Sequence, residues 1–199
     1  MLGRPWREAE FCVVDLETTG LDLRRDSIVS FGAVRVVSGR VQAGQAVYQI
    51  VRPEAQLSVP AVRIHGLRPA DLAGAPPAAD ALPVLASLLD GRILVAHAAW
   101  IEQAFLSRAL RPLGVRLGGP VIDTAALTRA AGLAHGVPAG QEPSLEATAV
   151  AVGLQPHDPH NALGDALTTA ELLLVLASRL GAVTAADLAA ISARHGPGR

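Results

Sequence analysis

The sequence predicts an α/β fold built on a mixed sheet, and three features carry that prediction. The first regular element is FCVVDLE at 11–17, an apolar run that ends in acids and runs into a TTG turn signal. Two more β-rich runs follow at 28–37 and 41–51 with only short connections, so three sequential strands precede any long helix. Beyond about residue 80, short strand candidates alternate with helical periodicity. A meander of three strands continued by shorter parallel ones, with helices between them, is an α/β arrangement holding both strand directions in one sheet.

The apolar residues of FCVVDLE are continuous rather than alternating, as in a central strand buried on both faces. IVSFGAVRVV and VQAGQAVYQIV are joined by Ser38-Gly39-Arg40, short enough for a hairpin. Segment 53–83 is rich in Pro, Ala and Gly, with short helices expected near 60–64 and 69–73; it reads as an excursion within one domain. A helix at 81–89, a strand at 92–96 and a helix at 99–111 follow. In the last of these Trp100, Ile101, Ala104, Phe105 and Arg108 recur at the helical period, and Trp100 is read as a core residue. A strand at 120–122 leads into a helix capped by Asp123 or Thr124. After a Gly/Pro-rich loop at 132–143, Ser144, with Ala147 three residues on, opens a helix to about residue 152. The longest helix is expected at 161–180 with Leu163, Leu167, Ala170 and Leu174 on one face, and a last helix at 184–194 precedes a frayed HGPGR tail.

At 199 residues, 50% hydrophobic and 18% charged, the chain suits one domain with a substantial core and excludes disorder. Its seventeen basic residues, all Arg, against eighteen acids give a net charge of −1, so composition advertises neither nucleic acid nor a basic partner. The single Cys12, in an apolar run, cannot form an internal disulfide and suits a reducing compartment. No stretch reaches the ~20 apolar residues of a membrane helix, and MLGRPWREAEF lacks the apolar region of a secretory signal. A cytoplasmic protein that meets no membrane is expected.

Asp15 and Glu17, two apart in a strand, project to one face at its C-terminal end, where open α/β sheets bind ligands. Like charges this close are relieved by a proton, an Arg or a divalent cation; an isolated D-x-E also arises wherever a strand simply reaches water. In PHDPHNALGD, His157, Asp158, His160 and Asp165 are the groups able to carry chemistry. Five residues apart, His160 and Asp165 cannot share a face of one ideal helix, but can converge if His160 lies in the loop before it. Glu102 suits a helix start, and His97 and His65 read alone as packed loop histidines. Asp71, Asp80, Asp90, Asp123 and Asp187 sit where caps and turns are expected.

Taken in order, DLETTG, IHGL, a strand ending VAH with an acid five residues on and FL following, VIDT, and HNALGDA before a long helix resemble the DnaQ-like, or DEDDh, 3′–5′ exonuclease family. The resemblance runs over about 11–180, leaving 1–10 as an N-terminal extension and 181–199 as a C-terminal helix and tail. It implies an RNase H-like fold, a five-stranded mixed sheet flanked by helices. It also implies hydrolysis of phosphodiester bonds at the 3′ end of single-stranded nucleic acid, with DNA the expected substrate, releasing nucleoside 5′-monophosphates. Two divalent cations, Mg²⁺ or Mn²⁺, are implied, held by Asp15, Glu17, Glu102 and Asp165, with His160 as the general base toward the attacking water. Leu16, Thr18, Ile64, His65 and Phe105 are the expected walls for the terminal base and sugar.

Two departures stand out: HAAWIE replaces the usual H-N-A-x-F-D, putting Glu102 where the family has Asp and Ala98 where Asn is common. Glu remains a competent oxygen ligand, so altered metal preference is expected rather than loss of activity. The chain ends about 19 residues after the long helix, which favours a stand-alone enzyme over a polymerase-bound one. A proofreading subunit serving a DNA polymerase, an RNA-trimming exoribonuclease, and a non-catalytic nucleic-acid-binding module on a decayed exonuclease fold remain as alternatives. Some members of the family are homodimers, but no dimer surface is legible in the sequence.

Overall fold

The computed structural model describes residues 2–138 and 140–196; the tail expected to fray, at 197–199, and loop residue 139 lie outside the described residues. Strand β1 (Phe11–Thr18) is the centre of the sheet. It runs antiparallel to β2 (Ile28–Val37), in register from Phe11 opposite Val36 to Glu17 opposite Ser30. On its other side it pairs in parallel with β5 (Ile93–Ala96), which pairs in parallel with β6 (Ile122–Asp123). The outer edge of β2 carries both β3 (Arg40–Val41) and β4 (Val47–Ile50). The third strand, expected unbroken over 41–51, is therefore interrupted by a 3-10 turn at Ala43–Gln45. Five strand positions hold six segments. The β2–β3 hairpin turns through Ser38 and Gly39 at φ 53° and 66°, the left-handed pair that a tight right-twisted hairpin demands.

The period of two along β1 divides the core. Phe11 and Val13 join one apolar cluster with Leu172, Leu173, Leu176 and Leu188, from helices α7 (Ala162–Arg179) and α8 (Ala185–His195). Cys12, Val14 and Leu16 join the opposite cluster with Leu82 and Leu85 of α3 (Ala78–Leu89) and Phe105 and Leu106 of α4 (Trp100–Leu110). Two short helices, α1 (Val59–His65) and α2 (Pro69–Leu72), lie in the Pro-rich excursion; α5 (Thr124–Ala130) and α6 (Leu145–Ala151) follow β6. Side-chain oxygens of Asp123, Ser144, Asn161 and Thr184 accept backbone N–H groups at the starts of α5, α6, α7 and α8.

The buried stripe of α7 differs from the expected one. Leu163, Leu167 and Leu174 are half-buried, whereas Ala162, Ala166, Thr169, Ala170 and Leu173 face the sheet. Small residues win that face because the helix comes so close to the strands: a Cβ on Gly32 would lie 2.1 Å from the Ala162 carbonyl oxygen and 2.4 Å from the Leu163 nitrogen. The segment before β1 also packs into the body. Trp6 is buried, its N–H donates to the Val183 carbonyl at 3.0 Å, and the Ala185 N–H donates to the Arg4 carbonyl at 3.2 Å. The last helix closes the sheet edge, since Ser192 Oγ accepts the Asp123 N–H of β6 at 2.9 Å.

Gly32→Ala places a methyl group inside backbone van der Waals distance, where neither neighbour is a flexible side-chain end. It is expected to lower stability by at least about 1–3 kcal/mol, read as a reduced urea midpoint, while an exposed Gly44→Ala control changes little.

Candidate active site

Asp15 and Glu17 lie opposite Gly32 and Ser30 across the β1–β2 ladder and share one face, and the register slips between Glu17 and Thr18. The chain then turns away under the control of Asp26. Thr19 Oγ1 donates to Asp26 Oδ1 at 2.7 Å, Asp22 N–H donates to Oδ2 at 2.7 Å, and a Cβ on Gly20 would meet Oδ2 at 2.5 Å. From α4 the Arg108 guanidinium donates to the Leu23 and Asp26 carbonyls and holds this loop down.

The other half of the site is the start of α7. Asn161 Oδ1 accepts the N–H groups of Leu163 and Gly164, at 3.0 and 3.3 Å. His160 lies in the preceding loop at φ 63°, a left-handed conformation that costs a β-carbon residue about 1–2 kcal/mol. Its backbone N–H donates to Asp165 Oδ2 at 3.1 Å, so the residues meet as a loop-and-helix pair. The loop folds tightly over the first turn: a Cβ on Gly164 would lie 2.5 Å from the carbonyl oxygens of both His157 and Asp158. His157 itself pairs with Glu171 at 3.1 Å on the flank of α7.

Glu102 enters from the first turn of α4 and is 5% exposed. Before it, Ala98 sits at φ 57° and donates its N–H to Asp123 Oδ1 at 3.0 Å, so Asp123 caps α5 and fastens the β5–α4 turn at once. His97 bridges Thr124 Oγ1 at 2.9 Å and the Pro143 carbonyl at 2.7 Å, and burial holds its pKa below the ordinary value. It is a structural histidine. A fifth acid, Glu146 of α6, lies with its Oε1 3.9 Å from His160 Nε2.

One oxygen from each of Asp15, Glu17 and Asp165 falls within a 4.8 Å group. Burial, then the charges of Glu102, Asp165 and Glu17, pushes the Asp15 carboxyl far above the usual range. Burial and Asp165 raise Glu17 to about 8, and burial raises Asp165 to about 6. Burial raises Glu102 as well, with Asp123 and Glu17 adding to it. Glu102 stands outside the 4.8 Å group, yet its charge is among those that raise Asp15. Glu102 Oε2 and Asp165 Oδ1 are buried without a hydrogen-bond donor. Clustered carboxylates with orphaned oxygens and, among the described residues, no Arg paired to them are the donor set a hard divalent cation needs.

The exonuclease family model of the RNase T type matches residues 12–173. The chain belongs to the DnaQ-like 3′–5′ exonuclease family. It is 35% identical over 181 residues to the DNA polymerase III subunit epsilon-like protein of Rhodobacter capsulatus, covering 89% of this chain and 25% of that one. The chain thus spans about a quarter of that relative's length. With the DNA polymerase III subunit epsilon of Aquifex aeolicus it shares 26% identity over 174 residues, covering 87% and 83%. Exonuclease X, solved with 5′ overhanging duplex DNA, superposes with a TM-score of 0.72 at 27% identity over 92% of this chain and 99% of that one. E. coli Exonuclease I, solved with a dT13 oligonucleotide, shares the fold at a TM-score of 0.75 and 17% identity, over 87% and 42%. The fold is the RNase H-like one of this family.

Around the carboxylates of this family member, Glu17, Tyr48, Ile64, His65, Pro159 and His160 border a cleft of about 220 Å³. Ile64 is 56% exposed on its rim. His65 accepts the Leu67 N–H at Nδ1, 3.0 Å, and burial lowers its pKa. Thr18 is buried, its hydroxyl donating to the Gly20 carbonyl at 2.8 Å. Two expected walls are corrected. Phe105 is 1% exposed in the core beneath Arg108, and the Leu16 side chain, one residue out of phase with the carboxylates, packs into the opposite cluster. Trp100, expected in the core, is instead 43% exposed and donates Nε1–H to Glu142 at 3.2 Å, because at 100° per residue it lies on the face of α4 opposite the one that buries Glu102, Phe105 and Leu106. Tyr48, Asp26 and Glu146 carried no motif in the sequence; only the Ser144 cap, two residues before Glu146, pointed to its neighbourhood. No helix among the described residues is long and apolar enough to cross a membrane.

Because folding raises Glu17 from 4.5 to about 8, its protonated form favours the native state below pH 4.5, and that contribution is lost as pH climbs through 8. The metal-free protein should therefore lose stability over this window, and the gain in Tm on adding Mn²⁺ should be larger at the top of it than at the bottom. Differential scanning fluorimetry with EDTA and with Mn²⁺ measures this. Ala98→Gly, which removes a Cβ from a left-handed residue, should raise stability by about 1 kcal/mol, read as a higher urea midpoint.

Proposed function

We propose that this chain is a metal-dependent 3′–5′ exonuclease that hydrolyses single-stranded nucleic acid, with DNA as its substrate, to nucleoside 5′-monophosphates. The observation that carries the reading is the convergence of Asp15, Glu17 and Asp165 within 4.8 Å, beside His160 and Glu102, at the open end of β1. Asp15, Glu17, Glu102 and Asp165 would hold two divalent cations, Mg²⁺ or Mn²⁺, whose charge would stabilise the negative oxygens of the phosphoryl transition state and make water easier to deprotonate. His160 accepts the proton of the attacking water. The cleft beside Ile64, His65 and Tyr48 receives the terminal nucleotide, apolar and aromatic faces supplying a contact tolerant of base identity. The backbone after Glu17 faces the terminal 3′-hydroxyl, which accounts for attack from that end.

Exonuclease X, a likeness that covers nearly all of both chains, was solved with DNA, which favours DNA over RNA. A cleft of about 550 Å³ bordered by Arg24, Arg25, Arg52 and Arg108 against Asp26 and Glu54 has a net basic lining, which supports a local attraction for a polyanion on this nearly neutral chain. The Aquifex relative, 83% of whose length is matched, is a DNA polymerase III subunit; association with a polymerase is the second reading, and co-purification with the replicative polymerase tests it.

The activity test is incubation of 5′-labelled single-stranded DNA and RNA with Mn²⁺ or EDTA. A ladder shortening from the 3′ end, faster on DNA, abolished by EDTA and slowed by about 10²-fold or more in His160→Ala, is expected. Intact substrate under every condition would leave a nucleic-acid-binding module as the better reading, and equal rates in His160→Ala would remove the general-base role.

A further inference from the structure

The proposed mechanism leaves one acid of the site unused. Glu146 lies on α6, an element that supplies none of the four metal-holding carboxylates, and outside the 4.8 Å group. Its carboxylate is fixed from behind: Ser144, which caps α6 by accepting the Ala147 N–H at 3.2 Å, also donates its hydroxyl to Glu146 Oε2 at 2.5 Å. That leaves Oε1 facing the His160 ring, 3.9 Å from Nε2, in a pair where both side chains keep partial access to solvent. The backbone of His160 is meanwhile held by Asp165. The residue is thus held at its N–H from α7, and its ring faces a carboxylate of α6.

We infer that Glu146 is a positioning residue for His160, selecting the tautomer and ring orientation of the general base. This rests on the exonuclease reading given above. A carboxylate opposite Nε2 keeps the ring proton on that nitrogen and leaves the Nδ1 lone pair to accept the proton of water. At 3.9 Å the pair is longer than a hydrogen bond, and a side-chain rotation of either partner closes it. Glu146 also lies in the first turn of α6, where a carboxylate suits the helix N-terminus, but that role does not call for an oxygen facing His160. Burial alone would raise its pKa, but the Ser144 hydroxyl, a backbone N–H and His160 outweigh it and hold the carboxyl below its ordinary value, in contrast to Asp15, Glu17, Glu102 and Asp165. The acid facing the histidine is the one kept ionised.

The test combines kinetics on a 5′-labelled oligonucleotide with imidazole ¹⁵N NMR of the metal-free protein at alkaline pH. Glu146→Ala should lower kcat by roughly tenfold with KM and Tm unchanged. Glu146→Gln, which keeps an acceptor oxygen opposite Nε2, should recover most of the loss. In a His160→Ala background, Glu146→Ala should cost nothing further. The NMR spectrum should show His160 carrying its proton on Nε2 in the wild type and shifting toward the Nδ1–H form in Glu146→Ala. An equal loss in the His160→Ala background, a weakened Mn²⁺ affinity matching the fall in kcat, or an unchanged tautomer would each overturn the inference. Absence of any hydrolysis by the wild type would instead count against the exonuclease reading, with the NMR comparison still reporting on the pair.

Discussion

A Cβ on Gly32 would lie 2.1 Å from the carbonyl oxygen of Ala162, so the first turn of α7 rests on the bare backbone of β2. Gly32 is also the register partner of Asp15. The same contact therefore sets the height of the helix above the sheet and the distance between the carboxylates that the two elements carry. Gly164 repeats the device one layer out, where the His157 and Asp158 carbonyls come within 2.5 Å of where its Cβ would be. Two glycines thus stack strand, helix and loop at backbone contact, and the left-handed His160 follows from the sharp turn that the loop must make to enter α7. Larger residues at either point would separate Asp165 from Asp15 before any catalytic group had been altered.

That close stacking has an electrostatic cost. Four acids are brought together where burial already disfavours their charged forms, and each is pushed upward for that reason first and by its neighbours second. Protons relieve the repulsion at low pH and divalent cations would relieve it at neutral pH, so the proposed metal affinity and the expected metal-free instability have one origin. The overall charge of −1 takes on a different meaning in this light. The two cations proposed for the site would turn it positive with the excess concentrated at the carboxylates, so that capture of a polyanion would depend on a local field more than on a basic surface.

The strands and helices were legible because their signals are local. The continuous apolar run of β1, the Ser38-Gly39 hairpin and the helix starts at Asp123 and Ser144 each need only a few neighbouring residues to be read. Asp15, Glu17, His160 and Asp165 were legible through the ordered motifs they belong to, and the structure brings all four together. What escaped was set by packing between elements. The face of α7 that buries its alanines is chosen by Gly32, a residue about 130 positions earlier, and no helical periodicity contains that information. Phe105 and Trp100 exchanged their expected roles for a related reason: five residues put them about 140° apart around α4, and packing decides which of the two meets the core.

The HAAWIE segment shows how a departure from the family pattern can be absorbed. Glu102 carries one methylene more than Asp, and a longer acid at a helix start would ordinarily extend into water. Here it is 5% exposed, its Oε2 has no donor, and its charge acts on Asp15. The extra length has been folded into the site instead of out of it. Ala98, four residues before, keeps the left-handed turn at φ 57° that aims α4 at the carboxylates, although Asn or Gly would hold that conformation with less strain. Its N–H reaches Asp123, whose second bond caps α5. The turn is therefore held by an acceptor outside the altered motif, and this lets the side chain at position 98 change without moving Glu102.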